Sequence, residues 1–325
     1  GGGGGGGGVG GAADLSTPAG AKAAAGTLLV ISDLATGIED GGLVALPGPK
    51  AAVNCEDGGT VEDSSANDVN VASPFNKNVN VARTTRVNCK IAESNEAGSV
   101  TITQDGVVES GESTTANPLV SYFRLGKGAA TATTPYTFSI EQASEQGAGF
   151  NGTYGFFYRV DGSEGETGEE QRLVFDMNVK FKVTAPGVPA GQIPQITYQA
   201  AFGSTASPFT IKSNNAGVEL NGSYGASIST PQGNADTGCS NGSVKVTTKT
   251  VLTPAVEQVS PFSAGELELE SGGKKAKIVF VGDKIRVTPP GGTEVEFTGT
   301  ELQQAGSACA GLALSGLLLA GALGQ

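Results

Sequence analysis

The chain has 325 residues, enough for one large domain or two ordinary ones with a real core. It has a formal net charge of -12, 51 glycines and no histidine. The missing histidine excludes Ser–His–Asp and Cys–His catalysis and removes the commonest metal ligand, and without a basic face there is no electrostatic grip on nucleic acid.

Residues 1–50 read as a low-complexity Gly/Ala arm that opens with eight glycines. A phosphate cradle needs a strand before its glycines and a helix promptly after them, and neither is present. Two apolar pieces of strand length interrupt the arm, TLLVIS (27–32) and GLVALPG (42–48). TLLVIS, with Leu28, Leu29, Val30 and Ile31, is the expected donor strand, because its Gly/Ala flanks let it reach an open sheet edge of another subunit.

From residue 51 to 300 the pattern is that of a β body. In FDMNVKFKV, Phe175, Met177, Val179, Phe181 and Val183 alternate with polar residues, a period of two that predicts one buried and one wet face. SVTIT (99–103), YTFSI (136–140), GFFYRV (155–160), QITYQAAF (195–202) and SVKVTTKTV (243–251) read the same way. After Pro261, ELELE, KIVFV, DKIRV and TEVEFT are spaced by turn signals and predict a terminal meander over 261–300. The expected fold is an all-β antiparallel sandwich, with a jelly roll as one form of it.

Cysteines stand at 55, 89, 239 and 309 and form no CxxC pair, so zinc would need all four scattered thiolates. Proximity favours Cys55–Cys89 as a disulfide in a secreted protein, although four cysteines allow three full pairings. Cys309 reads as a small apolar packing residue. The segment DGSEGETGEE (161–170) offers Asp161, Glu164 and Glu166 as calcium ligands, but Gly165 and Glu166 break the EF-hand order, and a solvated hairpin tip accounts for the same residues. Asn151, Asn221 and Asn241 match the N-glycosylation acceptor pattern, which this composition gives by chance about as often. Asn-Gly turns account for those positions without sugar.

Residues 301–325 form an apolar tail. From Ala305 to Gly324 no charged side chain occurs, and the length is close to the ~20 residues of a spanning helix. Leu312, Leu314, Leu317, Leu318 and Leu319 can bury against neighbouring subunits, enter a membrane or join the chain's own core. No Lys, Arg, Trp or Tyr marks a membrane interface beside them.

These features predict no enzyme and no cofactor. The expected function is a secreted, self-assembling subunit of a filament, pilus-like fibre or surface layer, linked by strand donation and tail packing. Its partners are copies of itself, with membrane contact through 305–324 open, and its place is outside the cell or on its surface. A viral coat protein and a membrane-tethered adhesin or carbohydrate-binding module are the alternatives.

Overall fold

The first regular element is a helix. The Thr17 hydroxyl accepts a hydrogen bond from the Gly20 amide at 3.0 Å, and Pro18, with no amide proton to leave unpaired, takes the first helical position. This helix, α1, runs Pro18–Glu39. Alanine at 19, 21, 23, 24 and 25 favours it, and Ala21, Ala24, Ala25, Leu28 and Ile31 recur at helical spacing and are buried. TLLVIS therefore lies inside α1, which corrects its expected role. Leu28, Val30 and Ile31 belong to the chain's own core and Leu29 packs against it, so none is an extended strand free to reach another subunit. Residues 13–31 are likewise part of the body and not an arm.

The computed structural model describes residues 9–39, 52–234, 240–256 and 259–306. GLVALPG (42–48), Cys239, Cys309 and the tail leucines Leu312, Leu314, Leu317, Leu318 and Leu319 lie outside them.

After α1 the described residues are nearly all β and sandwich-like, with seventeen strands in one network. Short β1 (Val53–Asn54) and β2 (Thr60–Val69) lead into two long strands, β3 (Val79–Asn95) and β4 (Gly98–Glu112). The next two are short, β5 (Leu119–Gly126) and β6 (Tyr136–Ser144), and both pair with β4, on different halves of it. They are followed by the central hairpin of two 17-residue strands, β7 (Gly149–Gly165) and β8 (Gly168–Thr184). The pattern then repeats. Short β9 (Ile196–Phe202) and β10 (Phe209–Asn214) share β8, and both pair onward with β11 (Gly217–Thr230). Two-residue β12 (Gly233–Asn234) folds back on the end of β11, and β13 (Gly242–Pro254) pairs along the rest of β11. The expected terminal meander follows as β14 (Phe262–Ser271), β15 (Lys274–Val281), β16 (Lys284–Thr288) and β17 (Val295–Thr298). Every strand pairs antiparallel with partners at most two places away in the chain. A jelly roll needs pairing between distant strands, so the order found is a meander.

The alternation in β8 holds as far as the core extends. Phe175, Met177, Val179 and Phe181 are buried, while Val183 is exposed because the strand outruns the core. On this inner face the sheet curls over α1, so Leu267, Ile278 and Phe280 line the same apolar cavity as Leu28, Phe202, Ile211 and Leu220. The Tyr224 hydroxyl donates to the Ala24 carbonyl at 2.8 Å and ties the helix to β11. Lys22 stands 4.6 Å from the centre of the Phe297 ring.

Residues 299–306 form a further stretch of helix, in which Leu302 is buried. It crosses α1 glycine against glycine. A Cβ on Gly26 would come within 2.7 Å of the Gly306 amide nitrogen, and one on Gly306 would meet the Gly26 carbonyl and lie 2.7 Å from Val30 Cγ2. Among the described residues no helix is long and apolar enough to cross a membrane. Cys55 and Cys89 form a disulfide with Cα atoms 5.5 Å apart, tying the loop before β2 to β3.

Two stability predictions result. Gly26→Val forces the two helices apart and should cost about 1–3 kcal/mol, whereas Gly191→Ala, whose new methyl would meet nothing, should leave the melting temperature unchanged. Replacing Cys55 and Cys89 together by alanine opens a link across 34 residues. Denaturant titration should register a loss of about 3–4 kcal/mol.

Candidate functional site

The two pairs of short strands create the site. β5 leaves the sheet at Gly126 and β6 re-enters at Tyr136, which pairs with Phe156. On the other flank β9 leaves at Phe202, opposite Phe175, and β10 enters at Phe209, opposite Leu173. Both connections therefore emerge beside the middle of the β7–β8 hairpin, on its outer face. The β2–β3 connection (70–78) adds a third wall.

The floor is charged. Cross-strand register places Arg83, Glu109, Arg124, Arg159 and Val174 in one row across β3, β4, β5, β7 and β8. The next row on the same face carries Tyr122, Asp161 and Arg172. Glu109 is almost fully buried and accepts from Arg83 Nε at 2.6 Å, Arg124 Nε at 2.9 Å and the Tyr122 hydroxyl at 2.7 Å. Arg124, with no exposed surface, also donates to the carbonyls of Gly128 at 2.7 Å and Ala132 at 3.2 Å. Arg83 adds a second donor to Gly128 at 3.1 Å. Arg159 grips Asp161 through Nε at 2.8 Å and Nη2 at 3.1 Å, and reaches the carbonyl of Val71 at 2.7 Å. Guanidinium groups thus satisfy loop carbonyls that would otherwise sit unpaired over an apolar sheet.

Electrostatics fix these charges in place. Burial pushes the Glu109 carboxyl up, but hydrogen bonds from Arg124 and Tyr122 and the charges of Arg124 and Arg83 more than offset it and hold it below the usual carboxylate range. Burial, and then Glu109 itself, push the Tyr122 phenol up. Burial lowers the Arg159 guanidinium, but its bond to Asp161 and that residue's charge raise it beyond its ordinary value. All three remain in their ordinary charge states at neutral pH.

The three loops and this floor enclose a cavity of about 270 Å³, lined by Phe157, Arg159, Asp161, Arg172 and Val174 below and by Pro74, Thr131, Thr133, Thr205 and Pro208 at its walls. Arg172 stacks over Phe75, 5.1 Å from the ring centre, and bonds Glu170 at 3.2 Å.

The residues expected at sites fall differently. Asp161, Glu164 and Glu166 make no calcium cage. Asp161 is buried inside β7 on Arg159, Glu164 faces Glu169 across the hairpin, and Glu166 sits in the β7–β8 turn, bonded to Asn117 at 3.2 Å. Among the described residues no group of potential ligands could hold a metal. Asn151-Gly152 and Asn221-Gly222 lie within β7 and β11, so they are strand pairs and not the expected turns. Asn151 is exposed, whereas Asn221 accepts from the Thr248 amide at 3.0 Å and Asn241 from the Ile228 amide at 3.1 Å. The arginine row was missed from sequence. Its signal is a single charge inside an apolar strand, as in VVESG, YFRLG and GFFYRVD, which implies burial on both faces.

Comparison with family models, curated proteins and solved structures finds no match for this chain.

Removing Glu109 leaves Arg124 buried without its counter-charge. Glu109→Gln should therefore cost about 3–5 kcal/mol at neutral pH. Because the folded carboxyl titrates below the usual carboxylate range, this stabilisation is complete at and above that range and is lost as pH falls through the folded value. Urea titrations across pH 3–7 should show wild type and variant converging at the acid end.

Proposed function

We propose that the chain is a non-catalytic extracellular surface protein, a rigid β platform that presents the groove over its central hairpin. The apolar residues beyond Gly306 would hold it to copies of itself or to a surface. The observation that carries this reading is the use made of buried charge. Glu109, Arg124, Arg159 and Asp161 are committed to ion pairs and loop carbonyls, an arrangement that pre-organises loops rather than poising these four groups for proton transfer. The Cys55–Cys89 disulfide supports an oxidising location.

Strand donation by 27–32 has no place in this reading, because those residues are helical and Leu28, Val30 and Ile31 are buried. Strand addition at the sheet ends is also disfavoured. β17 spans only four residues, and β2 carries Glu62, Asp63 and Asp68, charges of the kind that blunt an edge. Attachment is therefore assigned to the apolar stretch that contains Leu312 to Leu319.

The test compares the full chain with a variant ending at Gly306, which keeps the buried Leu302 and the Gly26–Gly306 crossing. Negative-stain microscopy and flotation with phospholipid vesicles are the measurements. Filaments, sheets or vesicle binding that disappear on truncation are expected. Full-length protein that stays dispersed and ignores vesicles, like the variant, would overturn the reading.

A further inference from the structure

The cavity over Arg159 and Asp161 does not end at Phe157. A second one, of about 360 Å³, adjoins it along β7–β8 and shares Thr133, Phe157, Val174 and Thr205 with it. Its far end is lined by Asp176, Ala201 and Gly203. Each volume is close to the lower end of the range for small-molecule sites, about 300–1,000 Å³.

We propose that the two cavities form one groove that binds a neutral oligosaccharide, with its sugar rings lying along the β7–β8 hairpin. This deepens the proposed surface role and rests on it. Charge balance selects a neutral ligand. Arg159 and Arg172 are matched by Asp161 and Asp176 along the groove, and Glu170 engages Arg172 as well. A phosphate, sulfate or uronate would meet two carboxylates and find one guanidinium already held by Asp161.

The polar groups suit vicinal hydroxyls, which donate and accept at once. Each Asp161 oxygen takes one bond from Arg159, and a carboxylate accepts about four in all, so acceptor capacity remains. Arg172 bonds Glu170 through Nε, leaving its terminal nitrogens as donors. Thr131, Thr133 and Thr205 present exposed hydroxyls around the rim. Between these groups, Pro74, Phe157, Val174 and Pro208 offer apolar surface for the C–H faces of sugar rings. Two of the three loops that carry the walls, β5–β6 and β2–β3, are already pinned by Arg83, Arg124 and Arg159, which lowers the cost of ordering them on binding.

A peptide fits less well. β7 and β8 are hydrogen-bonded on both sides, so the groove offers an incoming main chain no edge to join. Cleavage of the sugar is not part of the proposal. Asp161 and Asp176 stand about four strand residues apart, ~13 Å, beyond the ~9.5 Å limit for a paired-carboxylate glycosidase.

Titration calorimetry of the full chain would use neutral gluco-, xylo-, manno- and galacto-oligosaccharides, with sulfated and uronate oligosaccharides as anionic counterparts. Binding of at least one neutral series is expected. It should weaken about tenfold or more, ~1.4 kcal/mol, in Arg172→Gln and in Thr133→Trp, which fills the junction of the two cavities, with both variants melting like wild type. Failure of every neutral series to bind, tighter binding of the anionic ones, or undiminished affinity in Thr133→Trp would each overturn the proposal. The variant ending at Gly306 separates this result from the attachment reading. Sugar binding that survives the loss of attachment supports the groove, and attachment without sugar binding overturns the groove alone.

Discussion

The architecture depends on a mismatch of strand length. β7 and β8 are 17 residues each, about 56 Å if fully extended, and each is flanked on its open side by two short strands set end to end. Where one short strand stops and the next begins, the chain must leave the sheet. Because this happens at the same level on both flanks, two connections rise over one patch of the central hairpin. A meander of evenly matched strands would place its loops only at the ends of the sheet. Here the strand lengths themselves put loops over the middle of a face, and Phe157 and Val174 are buried on that outer face as a result.

Loops over a sheet carry backbone carbonyls into a place with little water, and the arginine row answers that problem. A guanidinium presents several donors in a plane, so Arg124 can hold Glu109 and two loop carbonyls at once. The carboxylate in turn keeps two arginines from standing uncompensated. A buried ion pair adds little net stability against an apolar replacement. What it contributes here is position, since a leucine in place of Arg124 would fill the space, take the donor from the Ala132 carbonyl and leave Gly128 with Arg83 alone. The loops are thereby tied to the sheet by directional bonds rather than by contact area.

Much of the fold was legible in the sequence because strands with one wet face announce themselves. FDMNVKFKV, ELELE and KIVFV alternate, and the structure places them in β8, β14 and β15. The helix was missed because TLLVIS is β-branched and strand-length when taken alone. The opposing signal lay upstream, in Thr17-Pro18 as a start and in the spacing of Ala21, Ala24, Ala25, Leu28 and Ile31. Alanine is so weakly apolar that the buried stripe did not stand out. The site was less legible still. Arg83, Glu109, Arg124 and Arg159 are scattered over 77 sequence positions and meet only through register, which no single strand specifies. The acidic hairpin, conspicuous in sequence, contributes only Asp161 and Glu170 to the groove or its border, and both are engaged by arginine.

The two faces of the central sheet have separate tasks, and alternation along β7 separates them. Phe156, Tyr158 and Val160 point to the core that holds α1, while Phe157, Arg159 and Asp161 point to the groove. Gly306 touches α1 and so belongs to the core side. An attachment made through the residues that follow it starts on the side of the sheet away from the groove, and the two need not compete for the same surface. A chain of paired strands joins the helix to the groove wall. Tyr224 bonds the helix from β11, β11 pairs with β9 and β10, and the connection between those two strands forms one wall of the groove. The Gly26–Gly306 crossing and the wall that carries Thr205 are thus built on the same run of paired strands, on opposite faces of it.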